Sequence, residues 1–198
     1  LVGTHPHGDH IGGLDSVIRN FEIVNVYMPK VSSSTKTYKD VIDALKLKNL
    51  PVNIAKYGVK LDLGDGVDAI MLSPIQQRYG WINDYSAVIK LKYGNVSFLF
   101  MGDAGKIPES EMLDRGLDLK ADVLKVGHHG SDTSTGQSFL NAVNPKYGII
   151  SVGVGNIFGL PNRSTLDKLN KKGVTILRTD KQGTIVFTTD GQNINVLK

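Results

Sequence analysis

The chain has 198 residues, of which 40% are hydrophobic and 21% are charged, and its net charge is +4. This length and balance predict one well-packed domain over residues 1–198, and no apolar run approaches the ~20 residues of a membrane-spanning helix. Because cysteine is absent, thiolate ligands, disulfides and a cysteine nucleophile are excluded, and the mild positive charge allows a polyanionic partner without requiring one.

The chain opens with an apolar pair that is typical of a strand end, followed by the motif THPHGDH at residues 4–10. In an extended segment His5 and His7 point the same way, while Asp9 and His10 lie where the chain turns towards the next helix. Neutral imidazoles and carboxylates are ligands of zinc and similar divalent ions. The motif therefore predicts a metal site with room for two ions.

The remaining elements alternate between helices and strands, as judged by hydrophobic spacing and turn residues. In chain order we predict helix 11–20, strand 21–28, helix 38–50, strands 52–63, 67–72, 87–93 and 96–101, helix 108–115, strand 121–126, helix 137–143, strand 147–152, helix 165–172 and strands 174–178, 184–189 and 193–197.

Two loops in this order stand out. Residues 30–37 are rich in hydroxyl groups and lysine, and Ser34 or Thr35 is expected to cap the helix that follows. A rim that contacts phosphate is the second interpretation of this loop. Residues 153–162 form a glycine-rich loop, and Glu109 lies in the first turn of helix 108–115, where negative charge is favourable.

Two buried strands deliver further metal-capable residues. Asp103 follows strand 96–101 and a glycine, and His128 and His129 follow strand 121–126 and a glycine. All five histidines of the chain lie either here or in the first motif, which favours ligands over scattered core or surface histidines. Strand ends that share a site predict an α/β protein with its site at one sheet edge and helices outside.

The motifs at 4–10, 102–103 and 127–131 together resemble the metallo-β-lactamase superfamily. Within it, NDYS at 83–86 and LKVGHHGS at 124–131 make the chain similar to the C-terminal hydrolase domain of ComEC-type DNA-uptake proteins and their free-standing relatives. The resemblance spans nearly the whole chain. It implies an αββα sandwich with a two-metal site between the sheets, and we expect the chain to lack the first N-terminal strands of that fold.

The resemblance also implies a ligand set for two divalent ions, zinc or manganese. One ion would be held by the first two histidines of the opening motif and the other by its Asp-His pair, with the strand-end aspartate between both ions. A late histidine would complete the second ion, and the first of the adjacent pair is preferred without excluding its neighbour. The implied ligands are His5, His7, Asp9, His10, Asp103 and His128 or His129.

Two departures from the family pattern concern catalysis. Most members supply a further histidine to the first ion, but this chain has none from 11 to 127, and Asn83, Asp84 or Ser86 occupies about that place. Relatives also carry a histidine before the proline of the late glycine-rich loop, where this chain has Leu160. The first ion is therefore expected to be bound more weakly, and catalysis to be slower or to use another acid.

The function implied is metal-dependent hydrolysis, since paired ions lower the pKa of a water and polarise the group that it attacks. Asp9 and Asp103 would hold and orient the reacting groups, and Ser86, Lys125 or Ser131 would assist the leaving group. We expect a phosphodiesterase or nuclease acting on single- or double-stranded DNA in DNA uptake (competence), at the extracellular or cell-surface side of a bacterial membrane, with a cytoplasmic location still open.

Two alternatives remain. The same centre could hydrolyse a carboxylic ester, a thioester or a lactam. Because the middle histidine is missing and Leu160 replaces another, the chain could also be a metal- or DNA-binding module that has lost turnover.

Overall fold

The computed structural model describes residues 1–197. The helices are α1 (Gly8–Ile11), α2 (Leu14–Asn20), α3 (Lys36–Leu47), α4 (Lys106–Asp114), α5 (Gln137–Val143), α6 (Arg163–Lys171) and α7 (Thr179–Gln182), and two 3₁₀ turns lie at Ile82–Tyr85 and Gly127–Gly130. The strands are β1 (Val26–Met28), β2 (Val52–Ile54), β3 (Lys60–Leu61), β4 (Val67–Ser73), β5 (Val88–Tyr93), β6 (Val96–Phe100), β7 (Val123–Lys125), β8 (Tyr147–Ile150), β9 (Thr175–Arg178), β10 (Val186–Thr189) and β11 (Ile194–Leu197).

The largest sheet is mixed and has the order β3-β4-β5-β6-β7-β8-β9. Its strands are antiparallel from β3 to β6 and parallel from β6 to β9. Helices α4, α5 and α6 form the three crossovers between the parallel strands, as parallel pairing requires. A parallel pair β1-β2 and an antiparallel pair β10-β11 form two small sheets. This arrangement confirms the predicted α/β class.

Two apolar clusters hold the elements that carry the site. The larger one joins the central strands to the crossover helices through fully buried side chains such as Leu99, Leu124 and Leu140. The smaller one packs α1, α2 and α3 around Ile11 and Ile18. Full burial of such side chains stabilises the fold by about 1.5–3 kcal/mol each. The ends of β6 and β7 and the start of α1 are therefore fixed by the core.

Several predicted boundaries are wrong, for identifiable reasons. Strand 21–28 is reduced to β1, because residues 21–25 connect α2 to it and pair with no strand of the described chain. Strand 52–63 is divided into β2 and β3 by a turn in which Gly58 has a φ of 85°. Helix 11–20 begins earlier, at Gly8, and is interrupted after Ile11 by two glycines. Helix α7 and both 3₁₀ turns were not predicted.

No helix among residues 1–197 is both long and apolar enough to cross a lipid bilayer.

Candidate metal centre

The metal-capable residues converge where three segments meet at one edge of the large sheet. Asp103 follows β6, the 3₁₀ turn with His128 and His129 follows β7, and the opening motif leads into α1. The N–H of His128 donates to the carbonyl of Gly102 at 3.1 Å, so the two strand ends are tied together. The opening motif is tied to β5, since the N–H of Ala87 donates to the carbonyl of Thr4 at 2.9 Å.

The first group of possible ligands consists of His5, His7 and Asp103. Nε2 of His5 lies 3.2 Å from Nδ1 of His7 and 3.7 Å from Oδ2 of Asp103. His5 is fully buried, and burial together with the neighbouring charge of His10 lowers the pKa of His5 to about 3. His5 is therefore neutral near pH 7, which is the state that binds a metal.

The second group consists of Asp9, His10, Asp103 and His129. Nε2 of His10 lies 3.2 Å from Nε2 of His129, and Oδ2 of Asp9 lies 3.1 Å from the same His129 nitrogen. Nδ1 of His129 lies 2.7 Å from the carbonyl oxygen of Ser151. Because a carbonyl only accepts, Nδ1 carries the proton and Nε2 presents its lone pair to the group.

Asp103 lies between the two groups and is only 2% exposed. Its Oδ1 faces the second group, 3.1 Å from Nε2 of His10 and 3.5 Å from Nε2 of His129, while its Oδ2 faces His5 of the first group. Burial alone would raise the pKa of Asp103, but the His10 and His129 imidazoles hold that pKa well below its usual range. A buried carboxylate that faces two ligand groups is placed to contact two cations.

The donor atoms fit divalent ions better than they fit one another. Two nitrogens bound to one tetrahedral zinc at 2.0–2.1 Å are about 3.3 Å apart, and the His5–His7 and His10–His129 nitrogen pairs are both separated by 3.2 Å. Within residues 1–197, Oδ1 of Asp103 is buried without a hydrogen-bond donor. Such an orphaned oxygen is expensive in a protein interior unless a cation satisfies it.

A family model of the metallo-beta-lactamase superfamily matches residues 1–154. The chain belongs to the metallo-β-lactamase superfamily. Among curated proteins it is 33% identical to ComE operon protein 3 of Bacillus subtilis over 94% of this chain, and 35% identical to competence protein ComA of Neisseria gonorrhoeae over 62% of this chain. These matches confirm the resemblance to ComEC-type competence proteins. The chain spans 24% and 18% of the length of these two relatives.

Solved structures confirm the fold. CmlA, a diiron beta-hydroxylase from Streptomyces venezuelae, superimposes with a TM-score of 0.61 and 16% identity over 90% of this chain and 43% of CmlA. At that identity the likeness concerns the metallo-β-lactamase fold alone.

The adjacent histidines have different surroundings in this member of the superfamily. The second group contains His129, whereas the sequence preferred His128 for that position. Nδ2 of Asn83 lies 3.2 Å from Nε2 of His128 and donates to it, and this His128 nitrogen is 3.8 Å from Oδ2 of Asp103. The structure therefore places His128 on the side of the first group. The ligand assignments themselves stay predictions.

The turn that carries both histidines is strained. His128 and His129 have φ values of 46° and 53°, a left-handed conformation that costs a non-glycine residue about 1–3 kcal/mol. Gly130 continues it at 82°, and a Cβ there would lie 2.6 Å from Cβ of Pro161. Such strain is typical of functional sites, and it directs the two adjacent rings towards opposite sides of Asp103.

The remaining candidates named from the sequence take different places. Ser86 is fully buried behind the site, where its Oγ lies 3.2 Å from Nδ1 of His5 and accepts the N–H of Asp103 at 3.0 Å. Nζ of Lys125 donates to the carbonyl of Val126 at 3.1 Å. Ser131 and Leu160 line the cleft in front of the centre. Ser86 is thus placed to orient His5 and Asp103 rather than to contact a substrate.

Glu109 supports the site in a way that the sequence did not reveal. The helix position suggested a solvated first-turn acid, but its side chain is buried and accepts the backbone N–H groups of Thr135 and Gly136. Those residues end the loop that follows the His128–His129 turn. Burial raises the pKa of Glu109 to about 7, against the effect of the two N–H groups and of Lys168 and Lys106 nearby.

We expect Glu109→Ala to lower the free energy of unfolding by about 2–4 kcal/mol, because two buried N–H groups lose their acceptor at about 1–3 kcal/mol each. Urea denaturation followed by circular dichroism measures this. Glu111→Ala on the same helix is the control, since Glu111 is bound only to side chains, those of Gln76 and Tyr79. A Glu109→Ala variant as stable as wild type would contradict the anchoring role.

The pKa of Glu109 also predicts a pH dependence. An acid with a pKa of about 7 in the folded state and 4.5 in the unfolded state favours folding when protonated. Its contribution is fully present below pH 4.5 and is lost as the pH rises to about 7. Relative to Glu109→Gln, which cannot ionise, wild type should lose about 3 kcal/mol of unfolding free energy across that window. A constant difference between the two proteins would refute this.

Proposed function

We propose that this chain is a metal-dependent phosphodiesterase that acts on DNA through a centre of two divalent ions, zinc or manganese, and that residues 1–198 form one hydrolase domain. The observation that carries the proposal is the position of Asp103, whose two carboxylate oxygens face two separate ligand groups. Paired divalent ions supply Lewis acidity and lower the pKa of water, both of which phosphodiester hydrolysis needs.

The residues of the chain then divide the remaining work. His5 and His7 hold one side of the centre, and Asp9, His10 and His129 hold the other. Asp103 keeps the two sides together and offsets their charge. Ser86 and the carbonyl of Ser151 orient the rings of His5 and His129 by contacting the ring nitrogens that face away from the centre.

Three features favour a phosphodiester over an acyl substrate. The lysine-bearing loop 30–39 borders the opening motif, since Thr37 packs beside Gly8 and Gly12. The chain carries a net charge of +4, which attracts a polyanion. The relatives are named for competence, which is the uptake of DNA. On the strength of that kinship we also propose a role in DNA uptake at the outer side of a bacterial membrane.

Parallel assays of the zinc- and manganese-loaded chain test this proposal. One arm uses bis-p-nitrophenyl phosphate and a labelled oligonucleotide, and the other uses nitrocefin and p-nitrophenyl acetate. We expect metal-dependent turnover of the phosphodiesters that chelation by EDTA removes. Turnover of the acyl substrates alone would replace the proposal with an ester or lactam hydrolase, and no turnover in either metal would favour a binding module.

A further inference from the structure

Two clefts meet at the metal centre. The larger has a volume of about 730 Å³ and extends past Ser151 towards the glycine-rich loop 153–162. The smaller has a volume of about 340 Å³ and extends towards the start of α4. Asn83, Asp103 and His128 line both of them, so the two clefts form one groove that passes across the centre.

Each arm of this groove carries a large aromatic side chain that is mostly in water. Phe158 lines the larger arm and Trp81 lines the smaller one, and each is 76% exposed. Large aromatic rings are usually buried, and exposed ones beside a cleft are typical of binding surfaces. Neither ring is needed for the core, since both lie outside the apolar clusters of residues 1–197.

The charge along the groove suits a phosphate backbone. Lys106 lines the smaller arm, and Lys30 and Lys39 are exposed in the loop that borders the opening motif. Asp84 also lines the smaller arm, but it is buried and its Oδ1 accepts the N–H of Gly105 at 3.1 Å. The accessible basic groups and the cations of the proposed centre therefore favour an anionic ligand with flat, apolar groups on both sides of the charge.

We propose that the groove binds single-stranded DNA, with one phosphate at the metal centre and bases on opposite sides of that phosphate stacked on Trp81 and Phe158. The placement of the phosphate rests on the proposed function. Unpaired bases present free ring faces, and aromatic side chains bind such faces with little sequence preference. In a duplex those faces are covered by neighbouring base pairs, so the two rings select single strands.

Trp81 is the only tryptophan of the chain, so its fluorescence reports on one end of the groove. We expect a phosphorothioate decathymidylate, which resists cleavage, to quench this fluorescence saturably in the zinc-loaded chain. By anisotropy of a labelled strand, Trp81→Ala and Phe158→Ala should each weaken binding about tenfold, and Trp81→Phe should restore most of the loss. Phe21→Ala, which removes an equally solvated ring outside both clefts, should leave the affinity unchanged.

Two further ligands separate stacking from simple charge attraction. An abasic strand with the same number of phosphates, and a duplex of the same length, should both bind about tenfold more weakly than the single strand. Equal binding of the abasic strand, or no effect of Trp81→Ala and Phe158→Ala, would overturn the stacking proposal.

The failure of this proposal can be told from the failure of the proposed function. Metal-dependent cleavage of bis-p-nitrophenyl phosphate, together with base-independent DNA binding, would leave the phosphodiesterase in place and remove the stacking sites. Base-dependent binding with no phosphodiester cleavage in either metal would support the stacking sites and contradict the enzyme.

Discussion

Asp103→Asn is expected to lower phosphodiester turnover about a thousandfold, which corresponds to about 4 kcal/mol of transition-state stabilisation. The amide has nearly the same shape, so the fold should survive, but it lacks the charge that keeps two cations side by side. We expect the variant to bind less than two ions per chain after saturation and dialysis. Metal analysis and initial rates with bis-p-nitrophenyl phosphate measure the two effects.

The matched control is Asp167→Asn, because Asp167 forms an exposed ion pair with Arg163 on α6, away from the centre. Its metal content and rate should equal those of wild type. An Asp103→Asn variant that keeps two ions and wild-type turnover would mean that Asp103 does not join the two halves of the site.

The second large effect is expected to separate the adjacent histidines. His129→Asn should remove one of two bound ions and nearly all turnover, because Nε2 of His129 presents a free lone pair to Asp9 and His10. His128→Asn should keep both ions and lose turnover by about 10²-fold or more, as expected for a group that moves protons near the reacting atoms. Metal content and rate constants, measured on the same preparations, distinguish these outcomes.

Asparagine is chosen because it tolerates the left-handed backbone that both histidines adopt. The comparison therefore isolates the loss of the imidazole from backbone strain. If His128→Asn lost an ion and His129→Asn did not, the two roles would have to be exchanged, as the sequence preferred.

The opening motif shows how much of the site could be predicted from sequence. His5, His7, Asp9 and His10 are close in the chain, so their convergence follows from local geometry, and the strand-glycine pattern before Asp103 identified a residue from far along the sequence. The distinction between His128 and His129 could not be made in this way. It depends on a left-handed turn and on the carbonyl of Ser151, and backbone carbonyls leave no signal in a sequence.

The groove shows a second limit. Trp81 and Phe158 are separated by 76 positions without a repeating pattern, and sequence inspection found too few regularly spaced aromatic residues to predict base stacking. Only the folded chain places them in arms of one groove. Glu109 was equally hidden, because first-turn acids are usually solvated and the backbone N–H groups that bury this one belong to a distant loop.

The fold was predictable where hydrophobic periodicity was strong. Strands β5 and β6 and helix α5 were found close to their predicted bounds. The failures lie in residues 21–25 and 55–59, where apolar residues suggested strand but the described chain offers no pairing partner or turns at Gly58. Pairing partners are a tertiary property, which explains why β propensity alone overestimated those strands.

The central claim, a two-ion centre joined by Asp103, is tested most directly by anomalous diffraction from crystals of the manganese-loaded chain. We expect two anomalous peaks about 3.5–4 Å apart, one beside His5 and His7 and the other beside Asp9, His10 and His129, with the Asp103 carboxylate between them. A single peak, or two peaks that Asp103 does not contact, would contradict it.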